Sequence, residues 1–205
     1  MSNVVIVDYG MCNLDSIARA VEECGGRPRI SDNPRDLRDA TQIILPGVGA
    51  FPDAMRNICE RGLDLALQEQ VIGNRIPFLG ICLGMQVMAR VGYEGEQMDG
   101  LGWIDGEVKR LQPTAEDRRI PHIGWNNIEL AKDSPLFAGV EPDRDFYFVH
   151  SYHLECHDPN QVIARTPYAG GFVSAVGRDR LFGVQFHPEK SRPVGFQVLR
   201  NFLSV

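Results

Sequence analysis

Apolar positions in this chain group first into short runs alternating with helical stripes, and later into successive short runs. Val4-Val5-Ile6-Val7 is a continuous apolar run that predicts a strand, and it stops at Asp8. Asn13 stands at the N-cap position of the next element, where Leu14, Ile17, Ala18 and Val21 form a stripe at helical spacing, and Gly25-Gly26 ends it. Strands are predicted for Arg27 to Ile30 and Gln42 to Leu45, followed by a largely helical stretch from Pro52 to Val71 with a break at Gly62. Ile76-Pro77-Phe78-Leu79-Gly80-Ile81 reads as a buried strand, after which Leu83, Val87 and Met88 return to helical spacing. Such alternation implies a parallel sheet with helices on both faces and ligands at the carboxyl ends of its strands.

From about Trp103 the pattern changes. Trp103 to Leu111, Ile120 to Leu130, Phe146 to Cys156, Val162 to Thr166, Phe172 to Val176 and Leu181 to Phe186 suit strands in antiparallel pairing. The polar stretch from Gln112 to Arg119 reads as a mobile loop, and Val194 to Leu203 as a closing helix with Phe196, Leu199 and Leu203 on one side. No repeat, low-complexity tract or linker interrupts the chain. The expectation is one α/β domain over residues 1–205: a largely parallel central sheet flanked by helices, with additional antiparallel strands in the second half.

Chemistry enters at Gly80-Ile81-Cys82-Leu83-Gly84, a nucleophile-elbow pattern with cysteine in the serine position. Neighbours without a Cβ leave room for a strained strand-to-helix turn that pushes the thiol clear of the backbone. A helix N-terminus there would favour thiolate over thiol. The plain alternative is a buried structural cysteine. A second motif, His187-Pro188-Glu189, follows an apolar run and supplies a base with a carboxylate two residues away, on the same side of an extended chain. Cys82, His187 and Glu189 together fill the roles of nucleophile, base and orienting acid. On geometric grounds the backbone N–H of Leu83, next after the nucleophile, is an oxyanion donor. Gln86, one turn along the elbow helix, can direct its amide into the pocket.

Composition narrows the class. At 205 residues, with 43% hydrophobic and 23% charged positions, the chain is ordinary for a globular protein. A net charge of −6 argues against a nucleic-acid partner, which calls for a basic face. Five cysteines, an odd number without metal-ligand spacing, favour reduced thiols in a reducing compartment. The first apolar run is too short for a signal sequence, nothing approaches a membrane span, and the cytoplasm is the expected location.

These motifs resemble those of the class I (triad) glutamine amidotransferases. Elbow and His-Pro-Glu are shared across that superfamily. Val7-Asp8-Tyr9-Gly10 with Asn13-Leu14 resembles its opening loop, and Leu45-Pro46-Gly47-Val48-Gly49-Ala50-Phe51 its oxyanion strand. Gly100-Leu101-Gly102, Gly106-Glu107-Val108, the segment from Pro121 to Asn126 and the segment from Phe146 to Tyr152 are more similar to one branch, the glutaminase subunits of imidazole glycerol phosphate synthases. One departure is Cys12, where that branch usually has glycine.

The resemblance implies hydrolysis of glutamine to glutamate and ammonia through a glutamyl thioester on Cys82, with neither cofactor nor metal. It implies a second oxyanion donor at Val48, whose flanking glycines would let the peptide flip. Glu94 would meet the substrate's α-ammonium, and backbone groups of Gly49, His150, Ser151 and Tyr152 would hold its α-amino-acid end. The implied partner is a (β/α)₈ barrel cyclase in a heterodimer, faced by Trp125, Tyr147 and Lys190, which uses the ammonia to make imidazole glycerol phosphate in histidine biosynthesis. Three alternatives stay open: a paralogue feeding ammonia to an enzyme that aminates surface-glycan sugars, a non-enzymatic thiol regulator on the same fold, and a papain-like thiol hydrolase.

Overall fold

The computed structural model describes residues 3–205. In its first half the chain runs β1 (Asn3–Val7), α1 (Leu14–Glu23), β2 (Arg27–Ser31), β3 (Gln42–Gly47), α2 (Phe51–Glu60), α3 (Leu63–Leu67), β4 (Phe78–Cys82) and α4 (Leu83–Gln86). There follow β5 (Ala89–Gly92), β6 (Met98–Asp99), β7 (Ile104–Arg110), β8 (His122–Asn127), β9 (Glu129–Leu130), β10 (Asp145–His150) and β11 (Tyr152–Cys156). The chain closes with β12 (Val162–Thr166), β13 (Phe172–Arg178), β14 (Leu181–Val184) and α5 (Val194–Leu203).

An eight-stranded sheet in the order β2-β1-β3-β4-β14-β13-β12-β9 forms the centre. Its strands β2, β1, β3, β4 and β14 run parallel, and β13, β12 and β9 add antiparallel neighbours at one side. Alternate residues of β1 explain its unbroken apolar run. Val5 and Val7 pack with Ile58 of α2 and Leu63 of α3, whereas Val4 and Ile6 pack with Ile17 of α1 and Phe202 of α5. A strand covered on both faces has no polar side to show. Two smaller sheets, β10-β8 and β11-β7-β5-β6, lie outside the central one.

The predicted architecture and most of its elements are present, and the differences cluster around Cys82. The elbow helix is a single turn, with Val87 N–H donating to the Leu83 carbonyl and Met88 N–H to that of Met85, before the chain enters β5. All residues from Pro77 to Ala89 are buried, so apolar spacing alone cannot mark where helix gives way to strand. The strand expected from Phe146 to Cys156 divides at Ser151, because β10 pairs with β8 and β11 with β7. The one expected from Ile120 to Leu130 likewise becomes β8 and β9, in separate sheets. The final strand ends at Val184 instead of Phe186 and lies parallel to β4, in register Val184 with Ile81.

Three smaller expectations also change. Asn13 precedes α1 without a side-chain cap. Helix is interrupted at Gly62 (φ +65°), as expected, but α3 runs on into a wide π-turn over Gln68–Gly73. The 112–119 segment is pinned: Asp117 accepts from Ala169 N–H at 2.9 Å, and the Tyr168 hydroxyl donates to the Arg119 carbonyl at 2.7 Å. Among the described residues no helix is long and apolar enough to cross a membrane.

Candidate active site

Cys82 terminates β4 beside Gly47 at the end of β3. Its backbone adopts φ +54° and ψ −110°, a strained conformation for a residue with a side chain. The flanking glycines make that turn possible. A Cβ on Gly80 would come within 2.5 Å of the Gly84 carbonyl oxygen, and one on Gly84 would overlap the Leu45 carbonyl. With a helix of only one turn behind it, the thiol depends chiefly on its side-chain neighbours for activation.

The neighbour that matters most comes from β14. Lying parallel beside β4, that strand sends the chain past Gln185 and Phe186 to His187 at the same carboxyl edge. Backbone contacts fix the segment to β10: His187 N–H donates to the Tyr147 carbonyl at 2.9 Å, and the Ser191 hydroxyl accepts from Tyr147 N–H at 2.9 Å and donates to the His187 carbonyl at 2.6 Å. Glu189 meets the ring across a 3₁₀ turn over Pro188–Lys190, not along an extended chain, and its Oε1 lies 2.9 Å from His187 Nδ1 with both side chains almost fully buried. A carboxylate accepts, so Nδ1 carries the proton and Nε2 is left for Cys82. Nε2 is buried and approaches the thiol without reaching hydrogen-bond geometry. Burial opposes charge on this ring, but the Cys82 sulfur and Glu189 outweigh it and push His187 up to about 10.

Around Cys82 lies a cavity of about 250 Å³ that gathers every expected substrate contact. Gly49, Gln86, Glu94, His150, Ser151 and Tyr152 line it, as do the two expected oxyanion donors, Val48 and Leu83. The Ser151 break between β10 and β11 is what turns His150, Ser151 and Tyr152 toward it. Val149, which the sequence did not suggest, joins them, and its carbonyl lies 4.0 Å from Cys82 Sγ.

Placement does not always mean readiness. Leu83 is the first helical residue, so its N–H has no acceptor within the helix. Val48 differs: its N–H donates to the Met11 carbonyl at 2.8 Å and is turned from the role expected of it. Cys12 holds the same strand, donating to the Pro46 carbonyl at 3.2 Å. Burial pushes the Cys12 thiol up to about 11, which keeps it a protonated donor. The unusual cysteine thus fastens the opening loop to the oxyanion strand.

Gln86 also departs from expectation. Its amide hydrogens are spent inside the protein, on the Tyr152 carbonyl at 2.8 Å and Gln185 Oε1 at 3.0 Å. Glu94 follows the elbow helix at a distance, beyond β5, and accepts from Phe51 N–H at 2.8 Å at the start of α2. Burial raises the Glu94 carboxyl above its ordinary value. Two effects should follow. Glu94→Ala raises the KM for glutamine about tenfold or more with kcat nearly unchanged, as expected for lost uniform binding. In the wild type, KM rises on acidification at a higher pH than an ordinary glutamate would give. A KM that ignores both changes removes Glu94 from the substrate site.

The remaining expected residues sit together outside the cavity. Trp125 of β8 faces Tyr147 of β10, ring centroids 5.9 Å apart, and Lys190 lies 5.4 Å from the Tyr147 ring. Ile123 and Trp125 are 61% and 54% exposed, an apolar face beside the segment that carries His187 and Glu189. Two buried residues were missed, Gln185 and His122. For Gln185 a signal existed, a lone amide inside an apolar run. Among the described residues no group of three or more His, Cys, Asp and Glu could hold a metal ion.

Residues 5–205 match the family described as glutamine amidotransferase class-I. The chain is similar to imidazole glycerol phosphate synthase subunit HisH 1 of Campylobacter jejuni, at 45% identity over 97% of this chain and 98% of that one. It is 48% identical to the HisH subunit of Carboxydothermus hydrogenoformans over 96% of each chain, and 42% identical to that of Leptospira interrogans over 98% of each. Its fold resembles that of PurLQS from Thermotoga maritima, with a TM-score of 0.74 at 19% identity over 100% of this chain and 99% of that one.

Proposed function

This chain belongs to the class-I glutamine amidotransferases, within them to the HisH subunits of imidazole glycerol phosphate synthase, and we propose that its 205 residues act as one glutaminase domain supplying ammonia to a partner subunit. The observation carrying this reading is that Cys82 opens on the cavity while the adjacent parallel strand β14 delivers the hydrogen-bonded His187–Glu189 pair beside it.

The reaction is covalent. Cys82 thiolate attacks the side-chain amide carbon of glutamine, forming a C–S bond and an oxyanion. Leu83 N–H meets that oxyanion, and Val48 N–H joins it once its peptide has turned away from Met11. His187, held by Glu189, protonates the departing nitrogen, and ammonia leaves. His187 then takes a proton from water, whose oxygen attacks the thioester; the C–S bond breaks and glutamate departs. Glu94 pairs with the substrate's α-ammonium, and the backbone of Gly49, His150, Ser151 and Tyr152 holds its carboxylate end. One oxyanion donor is typically worth about 10²–10³ in rate, so the Val48–Met11 bond supports low activity for the isolated chain.

A partner subunit follows from membership of a synthase, and the apolar face of Ile123 and Trp125, flanked by Tyr147 and the Lys190 ammonium, suits it. We place there a (β/α)₈ barrel cyclase, in a heterodimer that makes imidazole glycerol phosphate for histidine biosynthesis. Five unpaired cysteines suit the cytoplasm. The names of the relatives give no support to a glycan-aminating partner. The test is glutamate release with and without the host's barrel cyclase and its ribonucleotide ligand. Strong stimulation is expected, and silence from a folded pair overturns the assignment of partner.

A further inference from the structure

We infer that Gln185 is a further catalytic residue, whose side-chain amide holds the Cys82 sulfur and ties it to the substrate-binding segment at Tyr152. The inference rests on the glutaminase reading above. Gln185 is fully buried, and its backbone N–H donates to the Ser174 carbonyl at 2.9 Å. Its Nε2 lies 3.6 Å from Cys82 Sγ, and its Oε1 accepts from Gln86 Nε2 at 3.0 Å.

The direction of this contact is set by a group that cannot be reversed. The Tyr152 carbonyl only accepts, so the nitrogen of Gln86 must face it, at 2.8 Å. That nitrogen gives its second hydrogen to Gln185, which turns the oxygen of Gln185 toward Gln86 and its nitrogen toward the sulfur. The carbonyl itself is anchored from its other side. His150 Nδ1 donates to it at 2.8 Å, which leaves His150 Nε2 to accept from His122 Nδ1 at 3.2 Å. Burial lowers His150 to about 3 and His122 to about 4, so both rings stay neutral and keep these roles at physiological pH.

A donor aimed at sulfur serves both halves of the reaction. A hydrogen bond to an anion is about twice as strong as one between neutral groups. It therefore favours the attacking thiolate, and again the thiolate expelled when water's oxygen displaces sulfur from the thioester. In that second step the C–S electron pair goes to sulfur, and His187 returns to it the proton taken from water. A glutamine docked on Tyr152 would meet a backbone already linked, through Gln86, to the nucleophile.

Gln185→Met keeps the volume and deletes the donor. Two readouts test it: the pH midpoint of Cys82 alkylation by iodoacetamide, mapped to the Cys82 peptide, and kcat and KM for glutamine with the partner present. The midpoint should rise by about one pH unit and kcat fall about tenfold, with KM within about twofold. An unmoved midpoint, or a raised KM at constant kcat, overturns the inference. Should the methionine variant fail to melt cooperatively, Gln185→Leu deletes the same donor without adding a charge beside the sulfur, and an unmoved midpoint there overturns it equally. Alkylation needs no turnover. A wild-type chain that never releases glutamate would thus overturn the glutaminase reading, while the midpoints still decide the Gln185 contact.

Discussion

With Cys82 replaced by alanine, glutamine hydrolysis falls on the order of 10⁴-fold or more, because no other group on the cavity can form the thioester. The same substitution changes His187. In the wild type burial opposes protonation of the ring, and the Cys82 sulfur and Glu189 overcome it to reach about 10. Removing the sulfur leaves Glu189 alone against burial, so His187 titrates lower in Cys82→Ala, which NMR of the imidazole follows directly. Stability carries a matching signature. A histidine raised above its unfolded value of about 6.5 stabilises the fold fully below that pH, and the contribution is lost as pH rises through about 10. The alkaline loss of stability should be smaller in Cys82→Ala. A His187 titration that ignores the substitution would separate the two side chains and break the triad.

Gly84→Ala should be the most damaging single-methyl change near the site. Its Cβ would occupy the position of the Leu45 carbonyl oxygen, which belongs to β3 and cannot swing aside as a side chain would. A cost of about 3 kcal/mol or more is expected, lowering Tm by roughly 6–12 °C in a chain of this size. Activity should fall with it, since the elbow must shift to make room. Gly73→Ala is the control, because its Cβ would meet nothing closer than the Gln68 carbonyl at 3.9 Å. Equal melting and activity for the two variants would show that the elbow tolerates a side chain at Gly84.

What the sequence disclosed was the local chemistry. The elbow glycines, the thiol and His187 with Glu189 are contiguous motifs whose purpose follows from residue type and spacing, and the alternating strands and helices of the first half imply the sheet that carries them. What stayed hidden depends on pairing between distant segments. The antiparallel pairing expected of the second half holds for β14 with β13, but β14 also lies parallel beside β4, and that second neighbour is what sets His187 against Cys82. The continuous pattern from Phe146 to Cys156 gave no sign of the break at Ser151, since β10 and β11 each keep strand alternation while joining different sheets. Val48 was placed correctly at the cavity, but the direction of one N–H is a property of a single peptide plane, here set by Met11. Gln185 was visible only as a polar residue in an apolar run, and its contact with sulfur required three strands to be in place.

The most direct test is to quench the chain in acid during glutamine turnover and map thiol adducts by mass spectrometry. Burial raises the Cys12, Cys24, Cys59 and Cys156 thiols above their ordinary value, which leaves them poor nucleophiles at neutral pH. A γ-glutamyl adduct confined to the Cys82 peptide, and absent from Cys82→Ala, is the predicted result. An adduct on any of the other four cysteines, or glutamate accumulating with Cys82 replaced, would contradict the account.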